Sequence, residues 1–305
     1  MSTNATTVPY LVAERGGFRW LHVEDVRGPA LDTLAREFGL HELAIEDCRN
    51  LRQRAKLEEY ESHLFLIVNT IHFDAEKTEC WFGELDFFVG KDFLISVHDG
   101  PSRTYRAVKL KFDADGKLAH SGRLLYEMLD YVVDQYLPVL DSVEDRIEIL
   151  EEKVYEEPSP ALLAEIFALK RALIEFRRIA TGMRELVNHL LHRTEPWMKS
   201  QQAYFRNIYD HVVRALDFME SYRDILTGVL DVHLTATANR TNEIMRVLTV
   251  FATLALPFLL VTGYYGMNFE NLPLLHNPRG LAWATAMMVG AGLVMLWLFR
   301  SRRWF

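Results

Sequence analysis

Two stretches near the C-terminus constrain this chain more than anything else in it. From Val247 to Tyr265 the sequence VLTVFATLALPFLLVTGYY runs 19 residues without a charged side chain, and GLAWATAMMVGAGLVMLWLF, from Gly280 to Phe299, runs 20 more. A helix needs about 20 apolar residues to cross a hydrocarbon core about 30 Å thick. Burial in a soluble core is the competing reading, but core helices of such length usually keep a polar stripe, and these have none. Transmembrane helices are therefore expected at 247–265 and 280–299. Arg240 and Arg246 precede the first, while Arg300, Arg302 and Arg303 with Trp304 follow the second. The connecting loop, 266–279, carries only Glu270 and Arg279 as charges. The positive-inside rule then puts both chain ends in the cytoplasm and the loop outside, in a bacterial-type inner membrane.

Average composition hides this organisation, because the mean hydropathy is near zero. The N-terminus has no apolar core behind a basic start, so no cleavable leader is expected. Cys48 and Cys80 stand far apart and match no metal or redox spacing, which suits a reducing compartment. The net charge of -8 argues against nucleic acid as a partner and suits a protein that gathers cations, although mild acidity is also common in soluble proteins. No phosphate-cradling glycine loop, nucleophile elbow or ligand cluster is visible, so an enzyme is not expected, nor is a prosthetic group.

The expected fold is a cytoplasmic α/β domain, then a long all-α stalk, then the two membrane helices. FRWLHV, HLFLIVNTIHF, CWFGELDFFVG and DFLISVH are rich in aromatic and β-branched residues, as strands require. Helical stretches Pro29 to Phe38 and His41 to Asn50 lie between the first two, and Lys91-Asp92 reads as a turn. The α/β domain is assigned to 1–115 and a helical hairpin to 116–193. Within the hairpin a helix from about Ser121 to Tyr155, kinked at Pro138, precedes the breaker Pro158-Ser159-Pro160. Its return arm, Ala161 to about Leu191, should bury Leu150, Val154, Leu162, Ile166 and Leu169 between the two arms. From Trp197 to Tyr265 the only helix breakers are Gly228, Pro257 and Gly263. A stalk, 194–246, is expected to run straight into the first span, with a break near Gly228 as the alternative. Its apolar stripe (Val212, Leu216, Met219, Tyr222, Leu226, Leu230) has no obvious cover within one copy, which implies a bundle of copies.

Immediately after the first span stands Gly266-Met267-Asn268, preceded by Tyr264-Tyr265. A tripeptide alone is a weak signal, but its place at a membrane helix end strengthens it. Here the chain resembles the CorA family of magnesium/cobalt transport proteins, whose signature is YGMN at this junction. The likeness extends through NEIMRVLTVFATLALPFLLVTGYYGMNFENLP (Asn242 to Pro273), YFRNIYDH (Tyr204 to His211) and DILTGVLDVHLTATANRTNE (Asp224 to Glu243). The order of parts matches as well, so the resemblance covers essentially the whole chain.

The resemblance implies a funnel-shaped homopentamer that admits hydrated Mg2+ and Co2+, with Ni2+ as a further mimic. Gly266, Met267 and Asn268 would form the outer selectivity filter, where amide oxygens of Asn268 accept hydrogen bonds from the ion's waters. Magnesium sheds its inner water reluctantly, so neutral oxygens suit conduction better than bare carboxylates. Glu270 would add negative potential outside. Asn242, Met245, Leu248, Ala252, Leu256, Leu259 and Gly263 share one face at steps of three and four. By the same resemblance, Met245 and Leu248 would form an apolar gate with Leu256 a further narrow ring, Asn242 a polar ring, and Asp231 an acidic cytoplasmic exit. Helix packing alone would also explain the apolar members of that face. Arg300, Arg302 and Arg303 would make a basic ring, opposite an acidic hairpin of Asp141, Glu144, Asp145, Glu148, Glu151, Glu152, Glu156 and Glu157.

The sequence departs from the family at two positions. Asn207 stands in YFR-x-x-YDH where an acidic residue is expected at a cytoplasmic magnesium site, which puts feedback by magnesium in doubt. Leu259 is apolar where some relatives carry a hydroxyl. A zinc carrier of the same family is the alternative, but His189 and His192 are the only paired histidines and no Cys/His cluster lies near the pore. A membrane-anchored sensor is the remaining alternative, although an anchor needs no particular residues after its first span.

Overall fold

In a computed structural model the described residues are 10–51, 53–74, 79–156, 158–268, 272–273 and 277–302. They fall into two units, Met1–Leu230 and Asp231–Phe305.

The first unit opens with a mixed sheet of six strands in the order β1-β2-β6-β5-β4-β3. The strands are β1 (Leu11–Arg15), β2 (Phe18–Val23), β3 (Lys56–Glu59), β4 (Leu64–Asp74), β5 (Glu79–Val89) and β6 (Phe93–Val97). β2 and β6 pair in parallel, with Trp20 opposite Leu94, and the other neighbours are antiparallel. The four strands expected from aromatic and β-branched runs are present, and β1 and β3 are additions. Gly16 and Gly17, at φ 59° and 83°, make the tight turn between β1 and β2. Positive φ at both turn positions matches the right-handed twist of the paired strands, and glycine adopts it without strain.

Side chains alternate across β2, and both faces are covered. Leu21 and Val23 join Phe65, Ile67, Phe88 and Ile95 beneath α1 (Pro29–Phe38) and α2 (Glu42–Arg49). On the other face Trp20 packs edge-on to Tyr105 and Phe112 of α3 (Arg103–Ala114), at centroid distances of 4.9 and 5.4 Å. His22 stacks on the Tyr105 ring at 3.9 Å, with Nδ1 hydrogen-bonded to Ser96.

The expected single helix from Ser121 is divided into α4 (Ser121–Asp134) and α5 (Tyr136–Glu156). The division falls at Gln135, not at Pro138 itself. A proline at 138 has no N–H to give the Asp134 carbonyl and its ring crowds that turn, so the helix yields one turn upstream. Ser159 caps the return helix α6 (Pro160–Leu191) by accepting from the Leu162 amide at 3.3 Å, and Pro160 occupies the first turn, where no donor is required. Leu150, Val154, Leu162, Ile166 and Leu169 are all buried, as expected of the hairpin. Each contributes about 1.5–3 kcal/mol relative to an exposed side chain. Arg146 pairs with Glu165 across the two arms.

After a single turn, α7 (Pro196–Lys199), α8 runs unbroken from Gln202 to Tyr265. Gly228 does not interrupt it. Up to Leu230 most of its apolar stripe is already covered, with Leu216 and Leu230 half-buried. Val212, Met219, Tyr222 and Leu226 are buried within this chain, Tyr126 packs on Phe205, and the Tyr222 hydroxyl donates to Glu144 at 2.7 Å. The stripe therefore does not by itself imply a bundle, a correction that arises because the hairpin folds back along the same helix.

Candidate functional site

The second unit holds the end of α8 and the helix α9 (Gly280–Ser301). Both are long and apolar enough to cross a membrane, and few of their side chains are buried. In water such surface would be untenable, since monomers rarely expose contiguous apolar patches beyond a few hundred Å². Lipid and further protein are its natural cover.

The least exposed side of α8 within this unit is one stripe. Val250 and Pro257 are buried, and Thr253, Leu254, Val261 and Tyr265 are half-buried. The ring of Phe258 lies 3.8 Å from where a Cβ on Gly292 of α9 would sit, an ordinary contact distance, so α8 and α9 pack against each other here. Met245, Leu248, Ala252, Leu256, Leu259 and Gly263 lie half a helical turn away and are all exposed, Leu248 at 68% and Leu259 at 67%. Asp231 and Asn242 are exposed as well. The face expected to line a pore is thus unpaired in one copy and faces away from the inward stripe.

At its outer end α8 stops at the tripeptide. The Gly266 amide still donates to the Thr262 carbonyl at 2.9 Å. A Cβ at Gly266 would lie 2.8 Å from that same oxygen, so only glycine allows this close ending. Met267 and Asn268 follow outside the helix, both exposed, and Tyr264 and Tyr265 stack edge to face just before them. Past the loop, Asn277 accepts from the Arg279 amide at 2.9 Å and leads into α9. Arg300 and Arg302 are exposed at the far end of α9. Glu270, Arg303 and Glu157 lie outside the described residues.

The acidic residues Asp141, Glu144, Asp145, Glu148, Glu151, Glu152 and Glu156 are exposed along α5. Glu144 is engaged by Tyr222, and burial together with that carboxylate holds the Tyr222 phenol well above its ordinary range.

Sequence reasoning missed a half-buried polar network beside α2. Lys56 reaches Asp47 at 2.7 Å and Glu58 at 2.6 Å, Tyr60 donates to Glu58, and Gln53 joins Asp47 to Glu84. Burial opposes charge on Lys56, yet its two carboxylate partners raise its pKa overall. Asp86 is 2% exposed, and burial with the Glu84 charge holds its carboxyl far above the usual range. Burial and Asp86 likewise push the Cys48 thiol up. Both shifts disfavour the ionised forms that a nucleophile or a general base would need. Only a charged residue at every second position of β5, Glu84 and Asp86, hinted at this in the sequence.

In the first unit a cleft of about 1060 Å³ lies among β5, α6 and α8, bordered by Arg54, Arg177, Glu175 and Glu185. Its charges are mixed. Among the described residues no group of three His, Cys, Asp or Glu side chains is placed to hold a metal ion.

Comparison with known proteins bears on the whole chain. Residues 15–303 match the family described as CorA-like Mg2+ transporter protein. The cobalt/magnesium transport protein CorA of Thermotoga maritima is 30% identical over 290 residues, covering 93% of this chain and 83% of that protein. A putative metal ion transporter of Bacillus subtilis, YfjQ, is 32% identical over 307 residues, covering 98% and 94%. The structure of the CorA magnesium transporter from Methanocaldococcus jannaschii superposes with a TM-score of 0.84 at 24% identity, covering 97% of this chain and 94% of that one.

Proposed function

The chain belongs to the CorA-like Mg2+ transporter family, and from that premise we propose that it is one subunit of a homopentameric channel for hydrated divalent cations, Mg2+ foremost. Co2+ and Ni2+ enter as hydrated mimics. The observation that carries this reading is the ending of α8: an unbroken helix with a membrane-length apolar stretch stops at Gly266-Met267-Asn268, with Asn268 exposed beyond the last turn.

In the pentamer, Asn268 side chains ring the outer mouth. Their carbonyl oxygens accept hydrogen bonds from the ion's waters, so the ion is recognised without being stripped. Gly266 sets the position of that ring through its amide hydrogen bond to the Thr262 carbonyl. Met267 stays beside the turn, and Glu270 adds negative potential outside. Inward, Leu259, Leu256 and Ala252 lead to the apolar gate of Met245 and Leu248, which closes by excluding water. Gly263 widens the passage above it. Asn242 offers a polar ring below, and Asp231 draws cations at the cytoplasmic exit. Both termini face the cytoplasm, and Arg300, Arg302 and Arg303 anchor the second helix there. A potential of about 100 mV supplies roughly 4.6 kcal/mol per divalent ion, enough to drive entry. Asn207 is exposed on α8 and brings no charge, so magnesium feedback through that position is weak in this chain.

The test is Mg2+ uptake into proteoliposomes loaded with a magnesium-sensitive dye, comparing the wild type with Asn268→Ala. Uptake lost in the variant, with the oligomer intact by size exclusion, is the expected result. Equal uptake by both removes Asn268 from the filter. Zn2+ entry without Mg2+ entry would replace the magnesium reading with a zinc carrier.

A further inference from the structure

On α8, residues seven apart return to the same side of a helix that supercoils with its neighbours. Met245, Ala252 and Leu259 share one such register with Asp231, and Leu248 occupies the next. Asn242, Leu256 and Gly263 share a third, and residue 249 of that register is a threonine, as is residue 235. Thr241 and Thr262 fall in the register of Leu248. The conduction face therefore carries hydroxyls as well as apolar side chains, and Thr249 stands among the residues of the apolar gate.

The hydrogen bonds of these threonines define their chemistry. Thr249 Oγ1 donates to the Met245 carbonyl at 2.7 Å, and Thr262 Oγ1 to the Phe258 carbonyl at 2.7 Å. Thr235 and Thr241 do the same toward Asp231 and Thr237, at 2.8 and 2.9 Å. A hydroxyl has one proton and two lone pairs. With the proton committed to the backbone, each exposed oxygen is left as an acceptor. A hydrated cation presents the opposite chemistry, because the waters around it point their hydrogens outward.

We propose that Thr249 forms an acceptor ring within the apolar gate, hydrogen-bonding to the water shell of the passing cation, and that Thr262 supplies a second such ring one turn beyond Leu259. The proposal rests on the pore reading above. Between Met245 and Leu256 the other residues of the conduction face offer the ion's waters no acceptor, so crossing there would leave several donors unmatched. The Thr249 oxygens answer part of that need without adding charge, and a neutral acceptor holds the ion too weakly to trap it. Thr262 places a hydroxyl near the level where Leu259 lacks one.

The experiment uses the full chain in proteoliposomes, with wild type, Asn268→Ala, Thr249→Val, Thr249→Ser and Thr262→Val compared for Mg2+ uptake and for oligomer size. Valine keeps the shape of threonine and removes the hydroxyl, whereas serine keeps the hydroxyl. The expected result is uptake reduced about tenfold in Thr249→Val, close to the effect of one hydrogen bond lost at the barrier. Thr249→Ser should stay near wild type, and Thr262→Val should fall by a smaller factor. Wild-type uptake in both valine variants, while Asn268→Ala is inactive, overturns the proposal and leaves the pore reading standing. An equal loss in Thr249→Val and Thr249→Ser also overturns it, since keeping the hydroxyl would then fail to preserve conduction. Absence of Mg2+ uptake by the wild type removes the pore reading and this proposal with it.

Discussion

Replacing Gly266 by alanine tests whether the end of α8 controls the proposed filter. The Thr262 carbonyl accepts the Gly266 amide at 2.9 Å, and a Cβ at 266 would sit 2.8 Å from the same oxygen. The methyl and the hydrogen bond thus compete for one backbone atom, which cannot swing aside as a side chain would. Keeping the bond overpacks the turn at about 1–3 kcal/mol. Releasing it loses one backbone hydrogen bond, about 1 kcal/mol net. Release is the cheaper course by about 1 kcal/mol, which favours an unwound last turn by roughly fivefold in each copy. Asn268 is two residues further on and moves with that turn. A ring drawn from several copies then rarely has every amide in place, so Mg2+ flux should fall by about tenfold or more. Dye-loaded proteoliposomes measure the flux, and size exclusion reports whether the oligomer persists. Gly228→Ala is the control, because a Cβ there meets nothing within 4 Å. It should stabilise the helix by about 0.5–1 kcal/mol and leave flux unchanged. Wild-type flux in Gly266→Ala would refute the steric argument and separate the filter from this turn.

Two further predictions concern the first unit. His22 is fully buried, and burial with the nearby His98 lowers its pKa to about 3 from an ordinary 6.5. The unfolded chain binds this proton first as pH falls, so the stability contributed by neutral His22 is complete above pH 6.5 and drains away toward pH 3. Between pH 8 and pH 5 the loss is about 2 kcal/mol. Hydrogen exchange of the β2 and β6 amides, corrected for intrinsic rates, measures it, and His22→Phe should flatten the slope while keeping the stack on Tyr105. An unchanged slope in that variant would assign the acid sensitivity to another group. Asn207→Asp adds a carboxylate at an exposed position of α8 and should make internal Mg2+ inhibit uptake more strongly. Equal inhibition in both proteins would show that position 207 plays no part in feedback.

Some features were legible because they depend on composition alone. Aromatic and β-branched runs marked β2, β4, β5 and β6, whose central stretches are buried on both faces. The strands β1 and β3 escaped notice. LVAER and KLEE are short, charged edge segments that become strands because β2 and β4 offer hydrogen bonds to them. The Gly16-Gly17 pair was the available signal for the first of these. Pro138 announced an interruption, but the site of the break depended on which turn could yield. The buried Asp86 and His22 carried no mark in sequence, since their burial depends on α2 and α3 packing over the sheet.

The two membrane-length apolar helices and the position of Gly266-Met267-Asn268 were legible in the sequence itself, and the unbroken stalk was one of the two readings it left open. Transfer into lipid sums residue by residue, and Gly228, Pro257 and Gly263 are too few and too scattered to interrupt α8. Tertiary structure alone decided which apolar faces were already satisfied. The stripe from Val212 to Leu226 looked like an oligomer contact, yet the chain's own hairpin covers it. The face from Met245 to Gly263 stays uncovered, because none of the described residues packs over it. Periodicity makes the two stripes look alike. They differ in what lies opposite, which depends on contacts between residues far apart in the chain.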